Sequence, residues 1–361
     1  MSRHVQAILW TVAVFILSML SAGPIEAQGT DSAQLKEYRT TDSPRPGENT
    51  AQPCEYEATF PAGITPVRAA WVTYDRGTDI TRFYSDPDVL AFAARNDIAM
   101  VLAHQCPALK PSTGEVGEMD MHPEDGLGRS LFSALSAIGS ESAHPELAQT
   151  KLILLGFSGT GAYFGHFLAY APERVLAAIL ANPGQTEPEN VDNVVLDAKG
   201  TAVPVLVIVG GRDAIAGTSK PYAFFKRYYT EGAPWIYLVQ NGIPHCCVID
   251  TKEFILDWLQ EVIEVRQPDP AKPMLPLDQK SGWHGSIRPC NHSANDHWGL
   301  PLLGVCDARI TSTELRRSSD MPAGYFPSES LAKEWLAYIK QTNHPKNSFP
   351  RPDDPNFGEP K

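Results

Sequence analysis

Ser158 stands where a serine could act as a nucleophile. The segment Lys-Leu-Ile-Leu-Leu-Gly-Phe-Ser-Gly-Thr-Gly, residues 151–161, is an apolar run ending in a serine among glycines, and a helical pattern begins at Ala162. A buried strand that turns sharply into a helix at such a serine forms a nucleophile elbow, which lifts Oγ above the strand end. The turn strains the backbone, so the flanking residues must be small. A hydroxyl is a weak nucleophile at neutral pH and needs an adjacent base, itself oriented by a third group. The chain must therefore supply an acid and a histidine downstream.

The elements that would position these groups are legible from about residue 56 to 265. Short runs rich in Val, Ile and Leu occur at 67–74, 98–103, 151–157, 176–181, 203–209 and 235–239. Continuous apolar runs of this kind suit strands buried on both faces. Between them, apolar residues recur at three- and four-residue spacing over 87–95, 126–138, 161–170, 221–229 and 252–265, which predicts helices. Alternation of this type predicts an α/β fold with a mostly parallel central sheet and helices on both faces. Residues 28–54 read as a flexible leader, 55–266 as the α/β core and 267–361 as an irregular extension rich in Pro and Cys. One helix is expected in the extension near 328–340, with Ser328 as N-cap.

Over residues 67–265 the chain resembles the α/β-hydrolase superfamily, with Gly156-Phe157-Ser158-Gly159 matching most of its G-x-S-x-G motif. Thr160 stands where the motif usually has its second glycine, and Gly161 follows one place late. The resemblance implies an acid after a late strand, and Asp213 fits in Gly210-Gly211-Arg212-Asp213 after the run 203–209. It also implies a histidine in the loop before the last core helix. His245 fits, at the end of Asn241-Gly242-Ile243-Pro244-His245. The order Ser158, Asp213, His245 is the order of the superfamily. Glu187 or Glu189 would be the replacement acid. The oxyanion donors implied are the backbone amides of Gly159 and, by position in the loop 74–77, of Arg76.

Six cysteines, Cys54, Cys106, Cys246, Cys247, Cys290 and Cys306, lie beyond a stretch that reads as an export signal. That stretch has Arg3, an apolar run over 7–20 and a small-residue site that predicts cleavage after Ala27; an uncleaved anchor is the alternative. Disulfides are expected in an oxidising compartment. Cys290, His292, His297 and Cys306 have ligand types for zinc but match no standard spacing, so a Cys290–Cys306 disulfide is expected instead. A bridge from Cys106 to Cys246 or Cys247 would brace the histidine loop.

Hydrophobic residues at 43% and charged residues at 20% describe a folding chain rather than a disordered one. A formal net charge of −12 gives no basic footprint for nucleic acid or an anionic membrane. The expectation is a secreted or periplasmic serine hydrolase, free of the membrane once the signal is cleaved. It would use no cofactor or metal and act on carboxylic esters that are small molecules or polymer-linked. Peptidases and thioesterases share the same triad. A catalytically inactive binding or scaffold protein on the same fold is the alternative, suggested by Thr160 and the loop 74–77. Residues 283–305, with Trp298, are expected to pack plainly against the core; folding over the sheet edge as part of the acyl or alcohol pocket is the alternative.

Overall fold

Eleven strands form one sheet in the computed structural model, which describes residues 35–61, 63–75, 78–104, 106–109, 116–119, 121–184, 194–290, 294–312 and 321–340. The export signal read over residues 1–27 lies outside the described residues. The strands are β1 (Lys36–Asp42), β2 (Cys54–Phe60), β3 (Ala69–Tyr74), β4 (Ile98–Ala103), β7 (Lys151–Phe157), β8 (Val175–Ala181), β9 (Val205–Gly210), β10 (Ile236–Gln240), β11 (Trp283–Pro289), β12 (Val305–Thr311) and β13 (Met321–Phe326). A separate hairpin joins β5 (Pro107–Leu109) to β6 (Val116–Met119).

The sheet order is β1-β2-β4-β3-β7-β8-β9-β10-β13-β11-β12. β3 pairs with β4 and β7 in parallel, and β7 through β10 continue in parallel. β1 and β2 are antiparallel at one side, and β13, β11 and β12 are antiparallel at the other. Every residue of β3, β4, β8, β9 and β10 is buried, as expected of strands covered on both faces.

The helices are α1 (Thr78–Tyr84), α2 (Pro87–Arg95), α3 (Leu127–Glu141), α4 (Gly159–Tyr170), α5 (Ala198–Thr201), α6 (Ser219–Thr230), α7 (Lys252–Arg266) and α8 (Glu329–Ile339). α4 and α7 both pack on β8. α7 contacts α2 and α8, while α3 meets α4 through Phe132, which meets Phe167 edge-on and stacks on Tyr170. Ser328 caps α8 as expected, its Oγ accepting from the Leu331 amide at 3.1 Å. Among the described residues no helix is long and apolar enough to cross a membrane.

Two stretches differ from the sequence reading. The segment 28–54, expected as a loose leader, contains β1, and Arg129 of α3 binds Asp42 and Glu48 at 2.6 Å each. β1 is a polar edge strand, so it has no apolar run to betray it. Within the extension after Arg266, expected to be irregular apart from one helix, β11, β12 and β13 continue the central sheet. Their His, Gly, Arg and Pro residues conceal the pattern. The sheet accommodates β13 because Gly324 lies against Ile236, where a Cβ would stand 3.1 Å from the Ile236 Cα.

Candidate active site

The carboxyl ends of β7, β8, β9 and β10 converge on one group of loops. Ser158 joins β7 to α4 with φ 56° and ψ −121°, a conformation that side-chain-bearing residues rarely adopt. It persists because the turn is over-determined. The Ser158 amide donates to the Ala181 carbonyl at 2.9 Å, and its own carbonyl accepts from Ala162 at 3.1 Å. A Cβ on Gly156 would collide with the Thr160 carbonyl, so the motif's first glycine is sterically required. Although Ser158 stands at the helix N-cap, its side chain makes no capping bond. Gly159 is the first residue of α4, whose leading amides point out of the helix with its positive dipole end.

Thr160, in the place of the second motif glycine, tightens the elbow. Fully buried, its Oγ1 accepts from the Phe157 amide and donates to the Phe157 carbonyl, both at 2.9 Å.

Asp213 and His245 come together although 32 residues apart, with Nδ1 of His245 2.8 Å from Oδ2 of Asp213. Asp213 is fully buried, and its Oδ1 accepts the amides of Ile215 and Ala216 at 2.8 and 2.9 Å. Three acceptor contacts fix the carboxylate and aim Oδ2 at the imidazole. A carboxylate on Nδ1 holds the proton there and makes Nε2 the basic position. The His245 ring lies 4.8 Å from the ring of Phe157, the residue before Ser158.

The site also contains residues that the sequence reading missed. Asn182, fully buried at the end of β8 with φ 44°, accepts from the Gly210 amide at 2.7 Å through Oδ1. Its Nδ2 donates to the Cys246 carbonyl at 3.5 Å, so one side chain links the acid loop and the histidine loop. An asparagine directly after a buried strand and before Pro183-Gly184 was the available signal. Asp79 on α1 is the second; its Oδ2 accepts from the Val248 amide at 2.7 Å. Burial pushes the Asp79 carboxyl above the ordinary aspartate range, outweighing the amides of Val248, Ile249 and Cys247 that pull it down.

The cysteines pair as Cys54–Cys106, Cys246–Cys247 and Cys290–Cys306. The expected Cys290–Cys306 bridge is present, and it leaves neither sulfur as a zinc ligand. The expected bridge from Cys106 to the 246–247 pair is corrected: Cys106 is bonded to Cys54 across β2, and the adjacent cysteines bond to each other. Among the described residues no group of His, Cys, Asp and Glu is arranged to hold a metal.

Arg76, Glu187, Glu189, His292 and His344 lie outside the described residues. His284 faces Tyr229, with Nδ1 at 2.7 Å from the phenolic oxygen, and has no place at the loops around Ser158. The segment around Trp298 rests on the acid loop, the His297 amide donating to the Ala214 carbonyl and the Leu303 amide to Thr218 Oγ1, at 2.9 and 2.6 Å. Trp298 remains 39% exposed beside it, with the Lys220 ammonium 4.1 Å above its ring.

Eight sheet strands in the order β1-β2-β4-β3-β7-β8-β9-β10, a strained serine between β7 and α4, and an acid and a histidine after β9 and β10 define an α/β-hydrolase fold. No family model matches the chain, and no curated protein does. Solved structures similar to it include an esterase from the archaeon Pyrobaculum calidifontis, 13% identical, with 75% of this chain and 93% of that chain covered at a TM-score of 0.42. The S-formylglutathione hydrolase of Agrobacterium tumefaciens is 10% identical, covering 64% of this chain and 96% of that chain at 0.45. Brefeldin A esterase, a bacterial homologue of human hormone sensitive lipase, is 13% identical, covering 66% and 80% at 0.42.

Proposed function

We propose that this chain is an exported serine hydrolase that cleaves carboxylic esters through an acyl-enzyme, with Ser158 as nucleophile, His245 as base and Asp213 as its orienting acid. The observation that carries the reading is the buried Asp213–His245 contact beside a strained, uncapped serine. Ser158 Oγ attacks the carbonyl carbon as His245 takes its proton, and the tetrahedral oxyanion is met by amides at the head of α4, that of Gly159 first. The intermediate collapses, the ester C–O bond breaks, and the alcohol leaves with the proton from His245. Water then attacks the acyl group, giving its proton to the same histidine, and the carboxylic acid departs as Ser158 regains its hydrogen. Neither metal nor cofactor enters these steps. Three disulfides support an oxidising compartment, periplasmic or extracellular.

A fluorophosphonate probe tests the reading, because it phosphylates a serine only where a base and oxyanion donors act together. Labelling of wild-type protein at Ser158, lost in Ser158→Ala together with hydrolysis of p-nitrophenyl esters, is the expected result. A folded, disulfide-intact protein that fails to label would leave a binding or scaffold role in its place.

A further inference from the structure

Among the described residues, Asp213, Asn182, Gln240 and Asp79 all bond the segment that carries His245, the first three from the ends of neighbouring strands or the loops after them. Asp213 meets the imidazole, Asn182 the Cys246 carbonyl, and Gln240 Nε2 donates to the Cys247 carbonyl at 2.9 Å. The fourth, Asp79, comes from α1. It lies in the first turn of α1, two residues after the loop 74–77 from which a second oxyanion donor is expected. Its bond to the Val248 amide spans 169 residues of sequence.

That amide has no local partner in the usual sense. Val248 opens the 3-10 turn Val248–Thr251, and the preceding residue, Cys247, has left-handed backbone at φ 77° and caps nothing with its side chain. The first amides of any helical turn need acceptors, and a nearby Ser, Thr, Asp or Asn normally supplies one. Here the acceptor is an inward-facing carboxylate whose Oδ1 is closed to solvent. If only a cap were needed, a neutral residue at position 247 would serve without burying a charge.

We propose that Asp79 is a positioning residue for the ester-cleaving reaction: its carboxylate ties the start of α1 to the His245 loop and so fixes the imidazole relative to Ser158. The inference rests on the reading of His245 as the base. A carboxylate in this role also makes the tie dependent on protonation, since the acid form loses the charge that holds the amides. Burial raises the Asp79 pKa above the ordinary aspartate value, against the pull of the amides it accepts. Of the charged groups on the elements packed around it, Arg82 pulls the pKa down, Lys252 is engaged by Asp86 and Asp88, and Asp250 follows on the turn itself.

The test uses full-length protein with its disulfides oxidised. Once wild type hydrolyses p-nitrophenyl acetate and Ser158→Ala does not, the serine-hydrolase reading stands, and Asp79 is judged separately. Asp79→Asn should lower kcat by about 10- to 100-fold with KM nearly unchanged, the size of effect that a misplaced catalytic group gives. The acid limb of its kcat/KM profile should show one ionisation where wild type shows two. Asp79→Ala should regain several-fold activity in formate, which can occupy the vacated space and accept the amides, but not in the larger propionate. Wild-type kcat and an unchanged acid limb in Asp79→Asn would overturn the proposal. So would unfolding of both variants, which would make Asp79 a stability residue.

Discussion

Asp213 Oδ2 lies 2.8 Å from His245 Nδ1, and neither side chain is more than 6% exposed. The pair is therefore held by the protein rather than by water. Asp213→Asn should keep an oxygen for the Ile215 and Ala216 amides but turn an NH2 toward the ring, favouring the wrong tautomer. Its kcat should fall by on the order of 10³–10⁴ with KM little changed. Asp213→Ala should also lower the melting temperature, since two buried amides lose their acceptor. Steady-state kinetics beside thermal unfolding separates the two effects.

Thr160 predicts a stability signature for the elbow. Thr160→Val keeps the shape but leaves the Phe157 amide unpaired in a buried strand end. The cost should be about 1–3 kcal/mol in urea unfolding. Thr160→Ser, which keeps the hydroxyl, should stay within about 1 kcal/mol of wild type because it loses one methyl group. Equal losses in both variants would show that the hydroxyl contributes nothing.

The Cys246–Cys247 bridge holds a residue with left-handed backbone next to the proposed base. Such a conformation costs a residue with a side chain about 1–2 kcal/mol, so opening the ring should let Cys247 relax and carry His245 with it. Mild dithiothreitol treatment should lower kcat/KM several-fold, and reoxidation should restore it. Cys306 is exposed, so the third bridge will be reduced as well. The double variant Cys246→Ala, Cys247→Ala isolates the effect: its activity should be low from the outset and indifferent to reductant.

Glu334 on α8 sets a pH dependence of stability. Burial, then the charge and hydrogen bonding of Asp257, with Glu261 and Glu253 behind, push its pKa from 4.5 to about 7. The folded state binds this proton more tightly than the unfolded chain. The resulting stability is therefore complete below about pH 4.5 and is lost as pH rises through about 7. Glu334 is half-exposed, so screening limits the effect to about 1 kcal/mol, which corresponds to about 2 °C. Glu334→Gln should melt higher than wild type at pH 8 and equal to it at pH 4.5, read by calorimetry.

Much of the central sheet was legible because its strands are buried on both faces. Runs such as 98–103 and 151–157 coincide with β4 and β7 residue for residue. β1 and β11 to β13 were not legible, since a strand with one polar face or at a sheet edge needs no apolar run. At the site, the sequence names the ends of a contact but not the bridges between loops. Asp213 and His245 could be named from their loops. Asn182 and Asp79 could not, because each acts on backbone atoms that only the fold brings near, and the bond between adjacent cysteines could not because six cysteines leave the pairing open. Arg76 belongs to residues the structure does not describe, and its role is still an expectation.

β10 and β13 meet along a narrow seam. Their pairing is confined to Ile236 and Gly324, with the Tyr325 amide donating to Trp235 at 2.9 Å and the Trp335 indole to the Tyr237 carbonyl at 3.2 Å. The C-terminal strands and α8 thus work as a protective cover, the last of it delivered by a side chain. A fragment ending at Arg266 would leave β10, apolar and fully buried in the intact chain, as a bare strand edge. Bare edges recruit other strands. Shortening this protein to its recognisable core should therefore yield inclusion bodies rather than a smaller soluble enzyme.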